Sequence, residues 1–168
     1  NPSNPYDTTR AASLGSSSGS ALSVSVNLVM ASLGEETRAS CRGPSNHNAV
    51  SLILPHKAMI GFDGGAIGAD IYCDRSGIHG KSLPDCAKIL DALKDPDQGY
   101  YDPRDPYTTV PRSSVISSTF ASNLNVKSKR GALDNIRLGV VRESMVYPKG
   151  SVTEKPIVDG ATKEIKEI

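Results

Sequence analysis

At 168 residues the chain is long enough to bury one sizeable core, and its 38% apolar content, patterned between the turns that 15 Gly and 11 Pro imply, excludes disorder throughout. The 19 basic and 18 acidic side chains are well mixed and leave a net charge of +1. That leaves no basic stripe for nucleic acid, no charge block for a membrane surface, and no run near the roughly 18 apolar residues of a membrane-spanning helix.

No positively charged start followed by an apolar stretch is visible, so no signal peptide is expected. Cys41, Cys73 and Cys86 cannot all pair and none forms a CxxC, which favours a reducing compartment and a cytoplasmic location.

Residues 1–13, NPSNPYDTTRAAS, read as a polar, extended approach. Gly15 to Ser20, GSSSGS, has the composition of a flexible linker. The neighbouring residues argue otherwise. From Ser20 to Leu33, the residues Ala21, Leu22, Val24, Val26, Leu28, Val29, Ala31 and Leu33 cover nearly the whole helical wheel. This predicts a buried helix with a serine N-cap and Gly34 as its C′ stop, and an ordered loop leading into it.

Glu35 to Pro44 form a second turn, and Ala49 to Leu54 a buried strand ended by Pro55. Lys57 to Ser76 is Gly-rich and reads as loops with short strand pieces. Ser82 to Lys94 is an amphipathic helix with a Ser82/Asp85 capping box and Cys86, Ile89, Leu90 and Leu93 on one face. Cys86 is then core filler. Asp95 to Ser114, rich in Pro, Asp and Tyr, is a surface excursion or a lid. Ile136 to Val141 reads as a strand and Ile157 to Ile168 as the first turns of an amphipathic helix, and both chain ends read as cut.

Gly15 to Gly19 formally fits the G-x-S-x-G nucleophile elbow, but TTRAASL is a poor strand to precede one, and His47, His56 and His79 have no evident partner arrangement. The GK[ST] ending of a phosphate loop is absent, and the histidines lack metal-ligand spacing. Cys41 reads as packing, Asp74-Arg75 as a loop brace, and Tyr100, Tyr101 and Tyr107 as exposed turn tyrosines.

Taken together, NPYDTTR, GSSSGS, the small-residue run and LGEETRASCRGP resemble the amidase signature family of serine amide hydrolases. The likeness continues through the strand near Leu52 and DRSGIHGKSLPDCAKILDAL, and again at LGVVRES (138–144). The resemblance implies an α/β fold, a mixed central sheet flanked by helices, with residues 1–168 forming part of one domain and lacking a lysine-bearing N-terminal segment and a C-terminal part. By position, Ser40 is the implied nucleophile, Ser16 the bridging serine and Ser17 its hydrogen-bonding support. Arg42 matches the arginine two residues after the nucleophile, and Glu36 stands where most members have Asp. The backbone N–H groups of Thr37, Arg38, Ala39 and Ser40 are the implied oxyanion hole.

The implied base is a neutral lysine acting through Ser16, a Ser-Lys variant of triad logic. Holding Ser16 is expected to need a cis Gly15–Ser16 peptide, at about 3–4 kcal/mol. Two departures stand out: Arg38-Ala39 replaces the family's Gly-Gly, a mark of a subfamily, and no lysine precedes Ser16. Lys57 and Lys81 lie downstream and are not nominated. No metal or organic cofactor is implied. The expected partners are a small-molecule linear amide and the remaining segments of the same enzyme, with neither nucleic acid nor membrane; a homodimer is left open. The alternatives are an ammonia-producing subunit of an amidotransferase complex and a non-catalytic family member.

Overall fold

Residues 2–11, expected to be an extended approach, instead fold back on themselves, closed by an antiparallel Ser3–Ala11 bridge and by the Asn4 N–H donating to the Arg10 carbonyl at 3.0 Å. A later reversal is made at Asn27, whose φ of 62° lies in the left-handed region that Asn tolerates better than most residues. The structure is a computed structural model that describes residues 2–11, 14–60, 73–93, 119–124, 137, 139, 141 and 154–167. Helix α1, Ser18–Ser25, ends before Asn27, and the chain returns as strand β1, Ala31–Glu36. The single helix expected from Ser20 to Leu33 is therefore two elements, and Gly34 lies inside a strand rather than at a helix stop.

The cause is local. Ser23 Oγ donates to the Ser20 carbonyl (2.9 Å) and Ser25 Oγ to the Asn48 carbonyl (2.8 Å). Serines that bond backbone in this way weaken a helix interior. Nor is the run buried all round: Ala21 and Val24 are enclosed, but Leu28 and Met30 are 76% and 89% exposed. The expected serine cap differs too. Ser17 occupies the N-cap of α1 without a side-chain capping bond, and its hydroxyl is used elsewhere.

After a turn at residues 37–41 the chain forms α2, Arg42–His47, where only a turn was expected. Pro44 is tolerated because it sits in the first helical turn. Strand β2, Ser51–Ile53, is shorter than the predicted Ala49 to Leu54 and only half-buried, since Ala49 (φ 50°) is still turning. A single 3₁₀ turn spans Lys57–Met59. Strand β3, Arg75–Gly80, lies between the other two in the order β1-β3-β2. Both pairings are antiparallel, with Gly34 opposite Gly77 and Leu52 opposite His79.

Helix α3, Leu83–Leu93, appears as its sequence predicts. Ser82 Oγ accepts the Asp85 N–H (3.3 Å), one half of the predicted capping box, while the Asp85 carboxylate accepts the Ser82 hydroxyl (2.6 Å) in place of its backbone N–H. Cys86 and Leu90 pack on Ile78 of β3, joined by Ile53, Ile60, Ile89 and Phe120, whereas Leu93 at the helix end is exposed. Full burial of Ile78 and Leu90 contributes about 2 kcal/mol each. The Asp91 carboxylate then accepts the N–H groups of Phe120 (2.7 Å) and Ala121 (3.0 Å), which open the short α4, Phe120–Asn123.

The chain divides into two compact units, Asn1–Lys127 and Ser128–Ile168. In the second, α5 spans Glu154–Glu167, starting a turn earlier than expected, with a Lys155–Asp159 ion pair along one side. The connection expected at Asp95 to Ser114 lies outside the described residues. Of the strand expected at Ile136 to Val141, residues 137, 139 and 141 are described and none of them is in a strand. These observations support the α/β expectation, with the described part of the sheet antiparallel throughout. Among the described residues, no helix is long and apolar enough to cross a membrane.

Candidate active site

Sequence dictates where the two serine turns meet. α1 begins immediately after the first turn, β1 runs back from its far end, and the second turn leaves β1 at Glu36. The turns are therefore returned to one end of the α1–β1 pair. The Ser17 N–H donates to the Ser40 carbonyl at 3.0 Å, joining them directly. Ser17 Oγ contacts both backbone groups of Glu35, accepting its N–H and donating to its carbonyl at 3.2 Å each, and lies 3.4 Å from Cys41 Sγ. Ser17 is buried, Ser40 half-buried and Ser16 exposed.

The direct Ser16–Ser40 hydroxyl contact expected from the sequence is absent from the described hydrogen bonds; the turns meet one residue on, through Ser17. The cis peptide expected at Gly15–Ser16 is absent as well, every described peptide being trans. Gly15 makes the bend instead, at φ 141°, a conformation L side chains rarely adopt. Space is also closed to a side chain there, because a Cβ would sit 2.6 Å from Cδ of Pro44.

Behind the second turn lies Glu36, with no accessible surface. One carboxylate oxygen accepts the N–H groups of Cys41 (2.7 Å) and Arg42 (2.9 Å), and the other pairs with Arg42 Nε. Burial alone would raise the Glu36 pKa, but those two N–H donors and the guanidinium outweigh it and hold the carboxyl below its ordinary value. Thr37 is anchored from the other side, its hydroxyl donating to Asp74 Oδ1. Asp74 is the loop brace expected from sequence, and its target is Thr37.

The backbone N–H groups of Thr37, Arg38, Ala39 and Ser40 have no acceptor among the described residues. The side chains of Thr37, Arg38 and Ala39 are exposed. A turn fixed from behind, with successive uncommitted donors, is chemically suited to an anionic oxygen.

Beneath the site lies a feature that sequence reasoning passed over. His79, buried in β3, shares a hydrogen bond between Nδ1 and Ser45 Oγ at 2.8 Å, while Nε2 has no partner among the described residues. Burial holds its pKa below the ordinary histidine value, against the opposing charge of Glu36. No local sequence signal marked it, since RSGIHG has little intrinsic strand preference. Cys41 reads in the structure as the packing residue it was expected to be, with no accessible surface and a thiol pKa raised by burial.

Neither described lysine near the site serves Ser16: Lys57 Nζ donates to the Asp74 carbonyl (2.8 Å) and Lys81 Nζ to the Ser25 carbonyl (2.6 Å). Among the described residues no group of three or more His, Cys, Asp or Glu gathers as metal ligands.

Comparison with known proteins places the chain in a family. The amidase family profile matches residues 1–157, and the chain belongs to that family. It is 34% identical over 140 residues to a glutamyl-tRNA(Gln) amidotransferase subunit from Azoarcus sp. (strain BH72), covering 83% of this chain and 26% of that protein. A probable amidase of Arabidopsis thaliana is 33% identical over 127 residues, 76% of this chain and 23% of that protein. Among solved structures, the native peptide amidase of Stenotrophomonas maltophilia superposes with a TM-score of 0.58 at 30% identity, over 73% of this chain and 23% of that one. The chain thus spans about a quarter of the length of the relatives it matches.

Proposed function

We propose that this chain carries the nucleophile-bearing part of a serine amide hydrolase, with Ser40 as nucleophile and Ser16 relaying its proton to a lysine elsewhere in the protein. The observation that carries the reading is the junction of the two turns, where the Ser17 N–H holds the carbonyl of Ser40 while the N–H groups of residues 37–40 have no acceptor among the described residues. A serine hydroxyl is a weak nucleophile until its proton is removed, and a neutral lysine reached through a second hydroxyl is a sufficient base. Ser40 attacks the carbonyl of a small linear amide. The oxygen that becomes negative is received by the backbone amides of Thr37, Arg38, Ala39 and Ser40, each donor contributing about 3 kcal/mol in the transition state. Ser16 returns the proton to the departing amine, and water releases the acid from the acyl-enzyme. Ser17, Arg42 and Glu36 hold the frame, and neither metal nor organic cofactor has a part in it. On this reading residues 1–168 belong to one catalytic domain completed by other segments of the same enzyme. Three cysteines outside any disulfide accord with a cytoplasmic location.

Fluorophosphonate labelling of the intact protein tests the assignment. Labelling is expected to disappear in Ser40→Ala, and undiminished amide hydrolysis by that variant would overturn it. The likeness to one component of an amidotransferase favours a second reading, in which the released ammonia passes to a partner protein. Ammonia release that depends on a co-purifying acceptor protein distinguishes this reading from a free-standing amidase.

A further inference from the structure

Cys41 follows the proposed nucleophile in sequence, yet its side chain is seated in the sheet. A Cβ built on Gly34 would lie 2.9 Å from Cys41 Sγ, and one built on Gly77 would lie 2.7 Å from it. Those two glycines are register partners across β1 and β3, so the thiol occupies a slot that two missing side chains leave open. The same point beside Gly34 is 2.7 Å from Ser17 Oγ, which places the serine hydroxyl in that slot as well.

Hydrogen inventory decides the direction of the Ser17–Cys41 contact. A hydroxyl has one hydrogen and two lone pairs. Ser17 Oγ gives its hydrogen to the Glu35 carbonyl and accepts the Glu35 N–H, which leaves one lone pair facing Cys41 Sγ at 3.4 Å. The thiol is then the donor, and burial keeps it protonated.

We propose that Cys41 is a positioning residue whose S–H···Oγ bond to Ser17 latches the serine-rich turn onto the nucleophile turn, so that the Ser17 N–H stays on the carbonyl of Ser40. The catalytic consequence rests on the reading of Ser40 as nucleophile; the latch itself does not. Loss of the thiol leaves Ser17 Oγ held by Glu35 alone, removes its tie to the second turn and loosens the registration of the two turns, without touching any group that would meet substrate.

Infrared spectroscopy of the intact protein reads the latch directly. The S–H stretching band assigned to Cys41 by its disappearance in Cys41→Ala is expected below the position of an unbonded thiol, and to move up to that position in Ser17→Ala. A wild-type band already at the unbonded position overturns the proposal, whether or not Ser40 reacts with anything. Fluorophosphonate labelling of Ser40 is expected to slow about fivefold in Cys41→Ala, the scale of one neutral hydrogen bond, and to recover in Cys41→Ser, whose hydroxyl replaces the donor. Equal rates in wild type and Cys41→Ala, or no recovery in Cys41→Ser, overturn the positioning role. No labelling of the wild type overturns the reading of Ser40 and leaves the band to decide the latch.

Discussion

Gly34 and Gly77 stand opposite each other in the β1–β3 ladder, and the Cys41 thiol fills the room that side chains on either would take. An alanine methyl at residue 34 would also meet His79 Nε2 and Ser17 Oγ, both at 2.7 Å. Gly34→Ala and Gly77→Ala are each expected to cost about 1–3 kcal/mol through overpacking. Denaturant midpoints of the intact protein measure it. By contrast Gly19→Ala, where an added Cβ meets nothing within 4 Å, should leave the midpoint unchanged or slightly higher.

Glu36 ties the second turn to the strand it leaves. In Glu36→Gln an amide hydrogen must face N–H donors that now meet a carboxylate oxygen, and the partner of Arg42 loses its charge. We expect a loss of about 1–3 kcal/mol, the scale of leaving a buried hydrogen-bonding group without its partner, and a parallel loss of Ser40 labelling. Arg42→Ala should cost less, since that side chain is more than half exposed.

The same carboxylate sets an acid limit. Its folded pKa is below the 4.5 of an unfolded glutamate, so the unfolded chain takes up the proton first as pH falls. Its contribution is complete above 4.5 and is lost as pH drops through the folded value. Unfolding midpoints followed downward from pH 5 should fall more steeply in wild type than in Glu36→Gln. Parallel slopes would remove Glu36 from the account.

His79 acts in a higher window. Its folded pKa lies below 6.5, so stability is full above 6.5 and declines as pH drops through the folded value, where the unfolded chain gains a proton the buried ring resists. His79→Gln keeps a hydrogen-bonding group near Ser45 and cannot titrate. The slope just below pH 6.5 should shrink in that variant.

Thiol chemistry separates the cysteines. Cys41 and Cys86 are buried with raised pKa values, Cys86 to about 11, whereas Cys73 is exposed. Ellman titration of the native protein should modify Cys73 ahead of the other two, which react on denaturation. Fast modification of Cys41 in the native state would contradict its burial.

Sequence carried some elements clearly and others not at all. α3 was legible because Ser82 and Asp85 mark its start while Cys86 and Leu90 repeat at helical spacing; both kinds of signal act within a few residues. The Ala21 to Leu33 run was not. Small and apolar residues there satisfy a helical and an extended period alike, and the break rests on Asn27 and on bonds from Ser25 to the distant Asn48. β3 was obscure for the opposite reason, since RSGIHG has little intrinsic strand preference and is held by neighbours on both sides. At the site, the joining of the two serine turns was legible in paired motifs. Its form was not, because the Ser17 bridge depends on where Gly34 places a strand, which local pattern does not encode.

The second turn is gripped by Glu36, by Asp74 through the Thr37 hydroxyl and by Ser17, while Arg38 and Ala39 between them are exposed. Rigidity and selectivity are thereby assigned to different atoms. On the proposed reading, new side chains can be tried at residues 38 and 39 to suit a different acyl group, and the backbone geometry of the turn does not have to be reinvented each time.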